Sequence, residues 1–121
     1  MTRSNDRTQR VADAIKRIVA EAIHHEVKDF DLTMVTVTRC DLARDFSEAT
    51  IRYSVLGDEA ARKDCREKLG KVATFLQRRI AESIKIHHVP HLKFEFDASI
   101  EESLKLEQLF DQINRERRQA E

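Results

Sequence analysis

Apolar residues recur every three or four positions near the start of the chain: Val11, Ile15, Ile18, Val19, Ala22 and Ile23. That spacing predicts an amphipathic helix over residues 6–27 with one stripe for a core. Ser4 or Asp6 is its expected cap. Arg3, Arg7, Arg10 and Arg17 form a second stripe that faces away from the core. Residues 33–40, TMVTVTRC, are rich in β-branched side chains and hold neither Gly nor Pro, so they read as a strand. After the polar, turn-like DLARDFSE, the period changes to two. Ala49, Ile51, Tyr53 and Val55 alternate with Thr50, Arg52, Ser54 and Leu56, which predicts a second, half-buried strand.

A long helical pattern follows. Asp58 is the expected N-cap, with Glu59 in the first turn. Cys65, Leu69, Val72, Leu76, Ile80 and Ile84 share one face. Gly70 interrupts this run, and a bend or break is expected near Gly70–Thr74. Val89-Pro90 is the expected helix stop, because proline pushes its predecessor into an extended conformation. Leu92, Phe94 and Phe96 then alternate with Lys93, Glu95 and Asp97 as a third strand. Ser99 and Glu102 form a capping-box pattern, opening a short final helix with Leu106, Leu109, Phe110 and Ile113 as its stripe. The closing RERRQAE reads as a frayed, flexible tail, leaving an ordered core over about 6–114.

This order predicts an α+β fold: one domain over residues 1–121, with helices packed on one face of a three-stranded sheet. The expected core is Val11, Ile15, Ile18, Val37, Ile51, Tyr53, Leu69, Leu76, Ile80, Leu92, Phe94 and Phe96.

Composition narrows the function classes. Hydrophobic residues make up 40% and charged residues 36%, a globular balance rather than a disordered one. No apolar run approaches the about 20 residues of a membrane span, and the N-terminus MTRSNDRTQR has no secretory apolar segment. Cys40 and Cys65 are far apart and form no C-x-x-C, which fits reduced, buried thiols and a cytoplasmic protein. Net charge is zero, yet residues 59–93 hold nine Lys and Arg against four Asp and Glu, while residues 94–114 hold one against six. A neutral chain segregated in this way can present a basic face to an anionic partner.

Two constellations invite chemistry. His87, His88 and His91 surround the single proline. Zinc needs three or four ligands converging at about 2 Å. Adjacent histidines diverge, so exposed polar residues at a helix-to-strand junction is the assignment this spacing favours. Asp41, Asp45, Glu95 and Asp97 have no nucleophile, glycine-rich loop or convergent partner beside them, and no G-x-S-x-G, P-loop or H-E-x-x-H occurs. Asp97 reads as a turn or near-cap residue. The stronger pattern is basic: Lys71, Arg78 and Lys85 lie seven apart on one helical stripe, flanked by Lys68 and Arg79. Such a row can track a phosphate backbone. A solvated charged face is the plainer reading of the same residues.

The stretches VTVTRCDLARDFSEATIRYSVLGD and VPHLKFEFDASIEESLKLEQLFDQI, with the basic helix between them, resemble ribosome-binding factor A of bacteria. The likeness runs from Arg10 to Ile113. Its most specific pieces are Leu56-Gly57-Asp58 and the spacing of Val89, Pro90, Leu92, Phe94, Asp97 and Ser99. The resemblance implies a KH-like fold of the second type, α-β-β-α-kink-α-β, without a G-x-x-G loop, which this sequence also lacks. It implies a non-enzymatic factor with no cofactor that binds the immature small (30S) ribosomal subunit and its 16S rRNA. Such a factor assists late maturation, including formation of the rRNA 5′ end, and often matters for growth in the cold. No membrane or small-molecule substrate enters this reading, and a monomer is expected.

The family's kink, usually Ala-x-Gly, aligns here with Val72-Ala73-Thr74, so both marked positions differ, and the expectation is either a bend moved a half-turn earlier by Gly70 or a gentler bend. His87 stands where the family often has arginine. The expected RNA contacts are Lys68, Lys71, Arg78, Arg79 and Lys85, helped by Arg10, Arg17 and Lys93, with hydrogen bonds from His87 and His88. Two other readings remain from the residues: a protein-interaction module using the acidic final helix, and a small metal-dependent enzyme built on the histidines.

Overall fold

The strand that alternates most cleanly, β2 (Glu48–Val55), lies at the centre of a three-stranded sheet. It pairs antiparallel with β1 (Val35–Leu42) and parallel with β3 (His91–Phe96). Ala49, Ile51, Tyr53 and Val55 are buried along it, as a period of two requires for a sheet covered on one face. The cover is α1 (Asp6–His25) and α2 (Glu59–Ser83), which pack on each other and on the strands. The last element is α3 (Ser99–Ala120). This computed structural model describes residues 6–27 and 29–120. Arg3 and the candidate cap Ser4 lie outside them.

Between the layers lie Ile15, Val19, Ala22 and Ile23 of α1, the sheet residues just named, and Cys65, Leu69, Val72, Leu76 and Ile80 of α2. Eight of the twelve expected core residues are buried. Val11, Ile18, Phe94 and Phe96 sit at the margin, partly buried. Phe96 ends an edge strand and meets the Tyr53 ring edge-on, with centroids 6.0 Å apart.

β1 breaks its own alternation. The register shifts between Val37 and Arg39, so Thr38 is an extra residue. Burial switches from Val35 and Val37 to Cys40, a change of parity that the sequence alone does not announce. The Thr38 hydroxyl instead bonds Asp97 Oδ2 at 2.7 Å and the Arg52 carbonyl at 3.2 Å.

The caps are local chemistry. Asp58 accepts from the Ala61 amide at 2.9 Å and starts α2. Before it, Gly57 has φ +149, and a Cβ there would lie 2.8 Å from the Ala61 Cβ. Only glycine fits this turn. At α3, Asp97 Oδ1 accepts from the Ser99 amide at 3.0 Å in a turn just ahead of the helix, and Ser99 is the first helical residue rather than its cap.

Three expectations need correction. The break at Gly70–Thr74 is absent: α2 runs unbroken through Gly70, Val72, Ala73 and Thr74. A continuous buried face from Cys65 to Ile80 outweighs the about 1 kcal/mol a mid-helix glycine costs. The helix also ends at Ser83, with Ile84 already extended, rather than at Val89-Pro90. Its buried stripe stops at Ile80. The extended chain then brings Ile84 and Ile86 against the core and buries Pro90, whose carbonyl accepts from Gln77 Nε2 at 3.0 Å. Finally, α3 is 22 residues long rather than short and continues to Ala120 through the expected tail. Its stripe of Leu106, Leu109, Phe110 and Ile113 is 39–56% exposed. Among the described residues no helix is long and apolar enough to cross a membrane.

Candidate nucleic-acid interface

The outer side of α2 presents Lys71 and Arg78 to solvent. Neither has an ion pair among the described residues. The Lys71 ammonium stands 5.9 Å from the Phe30 ring centroid. Their neighbours are committed elsewhere. Arg79 Nε lies 2.7 Å from Glu26 Oε1, and its Nη1 donates to Glu82 Oε1 at 3.2 Å. The Glu26 carboxylate first, then Glu82, hold its pKa above the usual guanidinium value. Lys68 pairs with Asp64 at 2.8 Å and donates to the Asp31 carbonyl at 3.3 Å. Because α2 stops at Ser83, Lys85 is not on the helix at all, and the seven-residue row ends at Arg78.

The remaining expected contacts are dispersed. Arg10 and Arg17 are exposed on α1, the helix beside α2. Lys93 belongs to the open face of the sheet. There Arg39, Asp41, Arg52, Glu95 and Lys93 form a ladder of ion pairs from 2.7 to 3.6 Å. Within that ladder burial pushes the Asp41 carboxyl up, but hydrogen bonds from Arg52 and Arg39 outweigh it and leave the pKa lowered. One set in sequence is therefore two faces in space: the helical layer, and the sheet behind it.

His87 and His88 are exposed in the α2–β3 connection, and His91 opens β3. His24 lies across the fold, its Nε2 2.7 Å from the Val35 carbonyl oxygen. Among the described residues no three His, Cys, Asp or Glu gather to hold a metal ion. Cys40 and Cys65 are free and buried. Burial, then the charges of Asp41 and Asp13, push the Cys40 thiol up to about 12, which makes it a poor nucleophile.

Sequence spacing passed over two groups of cations. Arg62, Lys63 and Arg66 line a cleft of about 500 Å³ with Tyr53 and Phe96, and the Arg62 guanidinium lies 4.7 Å from the Phe96 centroid. Arg7 and Arg44 line clefts at the far end of α2. Arg44 sits in a turn, where no periodicity could mark it.

The first five elements run α-β-β-α-β, with β2 central in a mixed sheet and two helices on one face. The profile of ribosome-binding factor A matches residues 7–110. The chain belongs to the ribosome-binding factor A family. The family's protein from Syntrophomonas wolfei is 32% identical over 115 residues, covering 93% of this chain and 94% of that relative. The one from Nitrosomonas europaea is 38% identical over 112 residues, covering 93% and 96%. The crystal structure of ribosome-binding factor A from Thermus thermophilus superposes with a TM-score of 0.63 at 22% identity, over 72% of this chain and 92% of that one. At such identity the superposition speaks for the fold. A homology model of Thermus thermophilus ribosome-binding factor A, fitted into the cryo-EM map of a 30S complex with that factor, superposes with a TM-score of 0.56 at 22% identity, over 72% of this chain and 91% of that one.

Proposed function

We propose that this chain is a non-enzymatic, cytoplasmic assembly factor that binds the immature small ribosomal subunit and contacts 16S rRNA. Its role is in late maturation, including formation of the rRNA 5′ end and growth in the cold. Family membership supports a ribosomal role. The observation that carries RNA contact is the pair Lys71 and Arg78, exposed on α2 and without ion pairs among the described residues, with Arg10 and Arg17 exposed on the neighbouring helix α1. Cations held free can neutralise phosphates, each releasing counterions, and they position the protein without reading sequence. Arg79 and Lys68 serve the fold first. The internal ion pairs of Lys93 and Arg52 make the sheet face a weaker competitor for phosphate.

The test is co-sedimentation with mature and immature small subunits, comparing wild type with Lys71→Ala/Arg78→Ala. Binding by wild type that weakens steeply with salt and is lost in the variant supports the reading. No sedimentation of wild type at low salt overturns it.

A second reading follows from the exposed apolar stripe of α3, Leu106, Leu109, Phe110 and Ile113. If that stripe meets a protein and RNA is not touched, binding survives the double substitution and depends little on salt.

A further inference from the structure

At the end of α2 the chain builds two adjoining clefts of about 580 and 330 Å³ that share Arg7, Ile86 and His87. Three remote segments meet there. The first turns of α1 bring Arg7, the β1–β2 turn brings Arg44, Asp45 and Phe46, and the extended α2–β3 connection brings Lys85, Ile86, His87 and His88. Phe46 has φ +63, a left-handed conformation unusual for a bulky residue, in a turn closed by its amide on the Ala43 carbonyl at 2.9 Å. Arg7 lies over its ring, 5.2 Å from the centroid.

The charges are unbalanced in a specific way. Both acids that line the clefts already have partners. Asp45 Oδ1 accepts from the Ser47 hydroxyl at 2.6 Å and from the Ser47 amide at 3.1 Å, which lowers its pKa. Glu82 accepts from Arg79. Arg7, Arg44 and Lys85 have no ion pair among the described residues, and Arg44, Lys85, His87 and His88 are exposed. Cations and imidazole donors thus surround a partly apolar floor of Phe46 and Ile86.

We propose that these clefts are a binding site for an unpaired RNA segment, the phosphates held by Arg7, Arg44, Lys85 and the imidazoles, and a base laid against Phe46 and Ile86. The proposal rests on the RNA-binding reading above and assigns it a second place, away from Lys71 and Arg78. The single-strand assignment follows from shape: unstacked bases enter concave sites and lie on aromatic faces, whereas a duplex offers a convex phosphate surface.

The test is fluorescence anisotropy with a short unstructured RNA and with a duplex of equal length, beside co-sedimentation with immature small subunits. The variant Arg44→Ala/His88→Ala removes exposed groups that hold no hydrogen bond among the described residues. It is expected to bind the single strand at least about tenfold more weakly, with an unchanged melting temperature. Lys85→Ala/His87→Ala, from a different segment, is expected to do the same and decides the matter if the first variant unfolds. Wild-type affinity retained by folded variants overturns the proposal, and so does equal binding of duplex and single strand. Failure of the functional reading looks different: wild type then fails to co-sediment with small subunits at low salt, whatever the oligonucleotide result.

Discussion

Arg79 reaches from α2 to Glu26, just past the end of α1, with Nε 2.7 Å from Glu26 Oε1 and Nη2 donating to Oε2 at 3.3 Å. A residue placed among the expected RNA contacts is thus a fastener between the two helices that cover the sheet. Arg79→Ala should lower the melting temperature and change affinity for small subunits by less than about threefold. Arg78→Ala, one position away and exposed, should do the reverse. Thermal melts and co-sedimentation of the two variants check this together, and a large affinity loss in Arg79→Ala would return it to the interface.

The two glycines should answer alanine with opposite signs. Gly57→Ala puts a Cβ 2.8 Å from Ala61 at a positive φ, so stability falls. Gly70→Ala finds nothing within 4 Å in the middle of a continuous helix and should stabilise by about 0.5–1 kcal/mol. Urea unfolding of both measures it. If Gly70→Ala also leaves subunit binding intact, backbone flexibility at Gly70 is dispensable for binding in this chain.

Asp97 gives the fold an acid limb. The hydroxyl and amide of Ser99, then the Thr38 hydroxyl, hold its pKa at about 2, below the ordinary carboxylate value near 3.9. A depressed folded pKa means stability present in full above the unfolded value and lost as pH falls through the folded one. Wild type should therefore lose on the order of 1 kcal/mol between pH 5 and pH 2 through this group, a figure reduced for the site's exposure to water. Asp97→Asn should be less stable at pH 5 and show a shallower decline, read from urea midpoints at each pH.

Burial separates the two kinds of apolar stripe. Leu76→Ala, fully buried on α2, should cost about 2–5 kcal/mol. Leu109→Ser/Phe110→Ser on α3 should leave the melting temperature nearly unchanged, because both side chains are more than half exposed. A large loss in the α3 variant would mean that this stripe is packed in solution.

What the sequence determined by itself was periodic or local. The alternation at Ala49–Val55, the 3.6-residue face from Cys65 to Ile80 and the cap at Asp58 each report interactions between residues close along the chain, so they were legible before any coordinates. Tertiary structure decided the rest. The bulge at Thr38, which switches burial to Cys40, depends on pairing with β2. The stop at Ser83 depends on where the core ends and so takes Lys85 off the helix, while Arg79 and Lys68 find partners distant in sequence or one turn away. Arg7, Arg44 and His87 meet only because the chain folds three segments to one end. Helical spacing describes one element at a time, whereas a binding surface is set by which charges remain unpaired after all the elements have packed.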